Sequence, residues 1–139
     1  MKPETAIVIG GGIAGCSSAY ALARRGIKVT LLERSASIAS AASGNPLAML
    51  YPRLSGDDDS SQFALAAYLH SIALYKTLGL ADTDFNACGM LQLGFNAREL
   101  ARIQKAAALY PASAIGYVSK YEASRIAGID IGHDALYLP

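Results

Sequence analysis

The stretch TAIVIGGGIAG, residues 5–15, decides the fold that this sequence predicts. Its apolar residues 6–9 are followed by glycine, and such a short β-branched run favours a fully buried strand. Three of the next glycines, Gly10, Gly12 and Gly15, form the pattern G-x-G-x-x-G. This pattern is typical of the turn between a strand and a helix that binds phosphate groups.

The residues that follow complete a β–α–β unit. Residues 13–25 are rich in Ala and Leu, which favour a helix, and Gly26 is placed to end it. The apolar residues 29–32 predict a second buried strand, and Glu33 stands at its end.

Each feature of this unit has a physical role in binding a dinucleotide. Gly10 allows the tight turn, Gly12 lets a diphosphate approach the backbone, and Gly15 lets the helix pack close to the strands. The helix amides and dipole face the phosphates. Glu33 follows Gly15 by 18 residues and is placed to accept hydrogen bonds from ribose hydroxyls, while its charge disfavours the 2′-phosphate of NADP. The alternative is a glycine-rich turn in another kind of α/β domain.

The length of the chain predicts about one domain. The elements visible in the sequence account for only half of a dinucleotide-binding fold. The chain has 139 residues, of which 53% are hydrophobic and 17% charged, so a hydrophobic core is expected. A complete dinucleotide domain has two βαβαβ halves, and only the first βαβ is visible. Residues 135–139 resemble an element cut short. We therefore expect a fragment of a longer enzyme.

Charge, cysteine content and hydropathy limit which binding partners and which cellular compartment this chain is expected to have. The net charge of +1 without a basic run gives no support for nucleic-acid binding by this segment. Cys16 and Cys88 lack disulfide or zinc spacing, which fits a reducing cytoplasm. No apolar run approaches the roughly 20 residues of a membrane span. The run before Cys16 is also too short for a lipoprotein signal.

The middle of the chain predicts a loop followed by a helix. Residues 35–46 are small and polar, as in loops. The acidic residues 57–59 are interpreted as a solvated turn and helix cap rather than a metal site. Residues 63–78 carry apolar side chains at helical spacing and predict an amphipathic helix that ends at Gly79. His70 on this helix is interpreted as a surface or packed histidine rather than a catalytic one.

The last third of the chain predicts alternating strands and capped helices. Residues 90–95 favour a short strand, and residues 135–138 a final one. Capping-box patterns predict two helices, one from Asn96 to about residue 109 and one from Ser119 to 126. The basic side chains of the first of these helices form a solvated face, with RNA contact as the alternative: Arg98, Arg102 and Lys105. The pair His133-Asp134 is interpreted as a turn.

The sequence shows no catalytic triad, paired catalytic carboxylates or metal cluster. The chemistry would therefore come from a bound cofactor, which the protein binds and orients.

Four motifs in chain order resemble one known family. They are AIVIGGGIAG (6–15), AASGNPLA (41–48), LYPRLS (50–55) and CGMLQL (88–93). Together they resemble the FAD-dependent oxidoreductases of the D-amino-acid oxidase superfamily. Within it the chain is most similar to the carboxy-terminal FAD domain of the bifunctional enzymes that make 5-methylaminomethyl-2-thiouridine in tRNA.

The resemblance implies an α/β fold within a two-domain flavoprotein. A Rossmann-like FAD-binding part is expected over residues 1–80, and the truncated start of a mixed α+β substrate domain over residues 81–139. The expected reaction is oxidation of a C–N bond with hydride transfer to the flavin of FAD. The expected substrate is the carboxymethylaminomethyl group of the tRNA wobble uridine, from which the carboxymethyl arm is removed. The alternatives are a small-molecule amine or amino-acid oxidase and a non-catalytic nucleotide-binding fragment.

The resemblance also assigns cofactor contacts by position. The glycines of the fingerprint would bind the diphosphate, the acid the ribose, and the later loop the flavin side. No catalytic residue and no metal ligand is assigned. The predicted FAD-binding residues are Gly10, Gly12, Ile13, Ala14, Gly15, Glu33, Arg34, Ser43, Gly44 and Asn45.

Overall fold

The glycine-rich stretch forms the predicted β–α–β unit in the computed structural model, which describes residues 4–54 and 58–139. Strand β1 (Thr5–Ile9) is followed by helix α1 (Ile13–Ala23) and strand β2 (Lys28–Leu32). The two strands are parallel, and Ile9 lies opposite Leu32. Helix α1 ends two residues before the predicted residue 25, and the chain then turns at Gly26, where φ is 78°.

The prediction that both strands are fully buried is wrong for this chain. Alternate residues of β1 and β2 are exposed. Ile7 is 69% exposed, Ile9 84% and Leu32 50%. The sheet has two strands, and α1 packs on both of them on the side of Val8. The apolar runs show where the strands lie, but they do not show whether the opposite face of the sheet is covered.

The chain divides into two units, which we name the amino-terminal unit (Met1–Met49) and the carboxy-terminal unit (Leu50–Pro139). The carboxy-terminal unit contains three helices and three strands among its described residues. These are α2 (Asp59–Thr77), β3 (Met90–Leu93), α3 (Ala97–Leu109), β4 (Gly116–Val118), α4 (Lys120–Ala127) and β5 (Ala135–Leu138). The strands form an antiparallel sheet in the order β3-β5-β4. Of these elements, only β4 was not predicted from the sequence.

Helix α2 begins four residues before the predicted start, because an acidic residue caps it. Asp58 accepts a hydrogen bond from the backbone N–H of Ser61 at 2.7 Å. The predicted cap therefore exists at Asp58, while Asp57 lies outside the described residues. The buried side of α2 contains Ser61, Leu65 and Tyr68. His70 is exposed, which selects the surface position from the two alternatives, surface or packed.

The two predicted capping residues also begin their helices. The Asn96 side chain accepts from the Glu99 N–H at 2.9 Å, and the Ser119 hydroxyl accepts from the Glu122 N–H at 3.3 Å. The basic side chains of α3 are exposed, as a solvated face requires, and contact with RNA stays untested: Arg98, Arg102 and Lys105.

The hydrophobic core of the carboxy-terminal unit lies between the sheet and its helices. Ile103 of α3 and Ile115 are fully buried, and Leu136 and Leu138 of β5 are 1% exposed. Helix α2 contributes Leu65 and Tyr68 to the same cluster. A smaller cluster of Val118, Ala123 and Ala135 joins α4 to the sheet.

The overall class agrees with the sequence: a parallel β–α–β unit and a second unit of mixed α and β structure. The structure assigns α2 to the carboxy-terminal unit by its packing. The predicted functional boundary at residue 80 concerns FAD binding and stays a prediction.

Two further observations concern the described residues. None of their helices combines the length and the apolar character needed to cross a lipid bilayer. No group of three or more His, Cys, Asp or Glu side chains in these residues is arranged to hold a metal ion.

Candidate dinucleotide-binding site

A pocket of about 360 Å³ opens where β1 and β2 end in the amino-terminal unit. Its walls come from the end of each strand, the glycine turn, and the loop after β2. The lining residues are Ile9, Gly10, Gly12, Leu32, Glu33, Arg34, Ser35 and residues 39–43. The carboxyl ends of parallel strands are where open α/β sheets bind ligands.

Gly10 makes the turn from strand to helix possible. Its φ is 102°, a backbone conformation that residues with a Cβ atom rarely adopt. Its N–H donates to the carbonyl of Leu32 at 2.7 Å, which ties the turn to the end of β2. This backbone bond fixes the beginning of the turn against the end of β2.

Gly15 allows α1 to approach this turn closely. A Cβ atom at Gly15 would lie 1.8 Å from the carbonyl oxygen of Gly10 and 3.6 Å from Val8 Cγ1. No side chain fits at that position without movement of the backbone. The close packing of helix and strand expected from the fingerprint is thus present at Gly15.

The Glu33 carboxylate faces the glycine corner. Its Oε2 accepts from the Gly11 N–H at 2.6 Å, and its Oε1 accepts from the Ser35 N–H at 2.9 Å. These backbone donors, Ser35 first and then Gly11, hold the pKa of Glu33 below its ordinary value of 4.5. The carboxylate is therefore ionised at neutral pH. Each of its oxygens retains a lone pair for a further donor such as a ribose hydroxyl.

The first turn of α1 presents backbone donors that the helix itself cannot satisfy. The Ile13 N–H donates to the hydroxyl of Ser43 at 2.9 Å. The first hydrogen bond within the helix joins the Cys16 N–H to the Gly12 carbonyl at 2.9 Å. Within residues 4–54 and 58–139, the N–H groups of Gly12, Ala14 and Gly15 make no hydrogen bond. Three unsatisfied donors at a helix N-terminus form an arrangement that favours an anion.

The structure brings together half of the predicted site residues in one pocket. Gly10, Gly12, Glu33, Arg34 and Ser43 line it directly. The predicted residues Ile13, Ala14 and Gly15 form the first turn of α1 next to it.

The last two predicted site residues are not part of the pocket wall. Gly44 packs so closely that a Cβ atom would lie 2.2 Å from the Ala39 carbonyl oxygen. The Asn45 side chain accepts from the Leu47 N–H at 3.1 Å and closes a local turn. Their contact with the cofactor stays a prediction.

Sequence reasoning missed the role of Gly11 and of the loop that faces it. Gly11 is buried, and a Cβ atom there would lie 2.9 Å from Ile38 Cγ2. Its carbonyl accepts from the Ala39 N–H at 2.9 Å. The available signal was the glycine in the middle of the run Gly10-Gly11-Gly12. The fingerprint does not require glycine at that position, so a glycine there indicates another constraint.

A second polar contact that the sequence did not reveal lies in the carboxy-terminal unit. Asp134 accepts from the Tyr117 hydroxyl and, at 2.8 Å, from the Lys120 N–H. The Tyr117 hydroxyl first and then the Lys120 amide lower the pKa of Asp134, and the same contact raises the pKa of Tyr117. Because these groups join β4, the start of α4 and the residue before β5, the contact is structural. His133-Asp134 is therefore more than the simple turn that was predicted.

The glycine corner, the unsatisfied helix amides and the ionised acid after β2 match the pattern of Rossmann-type β–α–β units, a class that binds dinucleotides. The family model described as "FAD dependent oxidoreductase" (DAO) matches residues 5–139. This chain belongs to that family of FAD-dependent oxidoreductases.

Similar proteins carry one recurring description. The chain is 46% identical, over its whole length, to a "tRNA 5-methylaminomethyl-2-thiouridine biosynthesis bifunctional protein MnmC" of Methylobacillus flagellatus and covers 22% of that protein. It is 46% identical to the MnmC protein of Nitrosospira multiformis, covering 23% of it. It is 42% identical to that of Pseudomonas fluorescens over 98% of this chain and 21% of the relative. The chain thus spans about a fifth of the length of these curated relatives.

Proposed function

We propose that this chain forms the part of a flavoenzyme that binds the diphosphate and adenosine ribose of FAD. The observation that carries the proposal is the unsatisfied first turn of α1 beside an ionised acid. The N–H groups of Gly12, Ala14 and Gly15 are suited to the diphosphate, and Glu33 to the ribose. When bound, FAD supplies the hydride acceptor for oxidation of a C–N bond.

The chain's own residues bind and orient the cofactor in this proposal. The positive end of α1 favours the two phosphate charges, and the glycines at positions 10 and 15 keep side chains out of the corner. Arg34 and Ser43 line the same pocket and are proposed as further contacts, with Gly44 and Asn45 in the following loop. The FAD-binding part extends over residues 1–80 and the start of the substrate domain over residues 81–139.

The proposed substrate is the carboxymethylaminomethyl group of the wobble uridine in tRNA. The enzyme would oxidise the C–N bond to the carboxymethyl arm, and hydrolysis of the resulting imine would release that arm. The support is the description of the relatives, which names the biosynthesis of a methylaminomethyl-uridine in tRNA. Such an enzyme works in the cytoplasm, and the two free thiols, Cys16 and Cys88, fit a reducing compartment.

Binding of FAD tests the cofactor assignment. Titration of the chain with FAD, followed by flavin fluorescence, is expected to show saturable binding. Glu33→Ala should weaken binding by about tenfold or more, because charge-assisted hydrogen bonds to the ribose are lost. Glu122→Ala, which removes an exposed acid from α4, is the matched control and should bind like the wild type. Equal affinity of the Glu33 variant and the wild type would contradict the ribose assignment.

Reduction of the flavin by different amines tests the substrate. The full-length gene product, loaded with FAD, should bleach its flavin absorbance anaerobically with tRNA that carries carboxymethylaminomethyl-uridine. The same tRNA without the carboxymethyl arm is the control and should leave the flavin oxidised. Reduction by glycine, sarcosine or D-amino acids in the absence of RNA would instead establish the small-molecule oxidase. Flavin binding without reduction by any amine would indicate a non-catalytic nucleotide-binding protein.

A further inference from the structure

Helix α1 is capped by a residue from a distant part of the chain. Its own N-cap residue is Gly12, which has no side chain to bond the helix amides. The Ser43 hydroxyl, 30 residues away, accepts from the Ile13 N–H at 2.9 Å instead. A Cβ atom at Gly12 would lie 3.1 Å from this hydroxyl oxygen, so Ser43 stands directly over the helix terminus.

The loop that carries Ser43 is held against the corner at two more points. Glu33 bonds the Gly11 amide at its beginning, and the Ala39 N–H donates to the Gly11 carbonyl at 2.9 Å in its middle. Ser43 lies in a short 3-10 helix (Ala42–Gly44) at its end. The hydroxyl is therefore presented to the Ile13 amide by an ordered segment.

A serine hydroxyl both accepts and donates hydrogen bonds. As an acceptor, the Ser43 oxygen takes the hydrogen bond from the Ile13 N–H that a phosphate oxygen would otherwise accept. As a donor, it is suited to bond a phosphate oxygen once the amide is released. The neighbouring amides of Ala14 and Gly15, which make no bond within the described part of the chain, do not have to exchange a partner.

We propose that Ser43 is an internal cap that competes with the cofactor: its hydroxyl releases the Ile13 amide and donates to the FAD diphosphate when FAD binds. This inference rests on the proposed function, because it takes the corner to be the diphosphate site. The capped form lowers the fraction of molecules ready to bind, and the apparent affinity falls by the same fraction. The new bond from Ser43 to the phosphate compensates in the bound state.

Amide exchange in the absence of FAD tests the cap by itself. The Ile13 amide should exchange about fivefold faster in Ser43→Ala than in the wild type, as expected for loss of one ordinary hydrogen bond. Ser43→Thr keeps the hydroxyl and should keep the protection. Ser37→Ala changes an exposed serine of the same loop outside the pocket wall and is the control. Unchanged exchange at Ile13 in Ser43→Ala overturns the cap.

Binding kinetics test the competition. In stopped-flow fluorescence, Ser43→Ala should accelerate both FAD association and FAD dissociation about fivefold, leaving Kd nearly unchanged. Faster dissociation with unchanged association would mean that Ser43 only contacts the ligand, and the competition would be overturned. Unchanged rates would also overturn it. If the wild type and every variant fail to bind FAD, the proposed function fails and the competition with it, while the Ile13 exchange still decides whether the cap exists.

Discussion

Each of the two units of this chain is stabilised internally by a different kind of interaction. Among the described residues 4–49, Gly11 is the one buried residue. In the carboxy-terminal unit, Ile103, Ile115 and Leu136 are at most 1% exposed and belong to one cluster. The first unit thus depends on hydrogen bonds around a glycine turn, and the second on side-chain packing.

This difference separates the residues that determine binding from those that determine stability. A corner of main-chain amides can accept a ligand only if no side chain fills it. A packed hydrophobic core therefore cannot occupy the same position. Truncation of a buried side chain should therefore reduce stability most in the carboxy-terminal unit. In the amino-terminal unit, substitution of a turn glycine should reduce it most.

The largest expected effect is the loss of a core side chain. Leu136→Ala in β5 should lower the free energy of unfolding by about 2–5 kcal/mol, because it leaves a cavity at a position that is 1% exposed. Urea unfolding followed by circular dichroism measures it. Ile9→Ala, at a position 84% exposed, should change stability by less than about 0.5 kcal/mol. Equal losses in the two variants would remove the contrast between the units.

A methyl group at Gly15 should damage the amino-terminal unit next most. Its Cβ would lie 1.8 Å from the Gly10 carbonyl oxygen, and overpacking of this kind costs about 1–3 kcal/mol. Amide exchange in β1 and β2 should accelerate accordingly. Gly132→Ala is the control, because a Cβ there has no neighbour within 4 Å. Unaltered exchange in Gly15→Ala would show that the turn relaxes freely.

Loss of a helix cap in the carboxy-terminal unit should have a smaller effect. Asn96→Ala removes the acceptor for the Glu99 N–H and should cost about 1 kcal/mol in urea unfolding. Arg98→Ala, on the exposed side of the same helix, should be nearly neutral. A cost as large as that of Leu136→Ala would mean that hydrogen bonds matter as much as packing in this unit.

The smallest expected effect is a pH dependence from Asp134. Its folded-state pKa is lowered, so its stabilising contribution is present above its ordinary pKa of 3.8 and is lost as the pH falls through the lowered value. The urea midpoint of the wild type should decrease between about pH 5 and pH 2. Asp134→Asn should show a shallower decrease. Parallel curves for the two proteins would show that the contact with Tyr117 and Lys120 does not contribute.

Features that depend on a few neighbouring residues were predictable from the sequence. The turn at Gly10 and the caps at Asn96 and Ser119 follow from residues at most five positions apart. Strand β4 was missed because it has only three residues and is defined by its pairing with β5. The exposure of Ile7 and Ile9 was missed because an apolar run does not reveal what covers it.

The same distinction applies to the candidate site. The glycine spacing and the acid at the end of β2 predicted Gly10, Gly12 and Glu33, which line the pocket. The bond from Ile13 to Ser43 spans 30 residues, and no local pattern indicates it. Nor does the sequence show that Glu33 bonds the Gly11 amide.

The distance along the chain between Ile13 and Ser43 has a consequence during protein synthesis. A ribosome adds roughly 5–20 residues per second, so residue 43 follows residue 13 after about 2–6 seconds. Throughout this interval the chain has no Ser43 hydroxyl to accept from the Ile13 amide, so the cap of α1 is missing. The corner therefore reaches its finished form well after its own strand and helix have been translated.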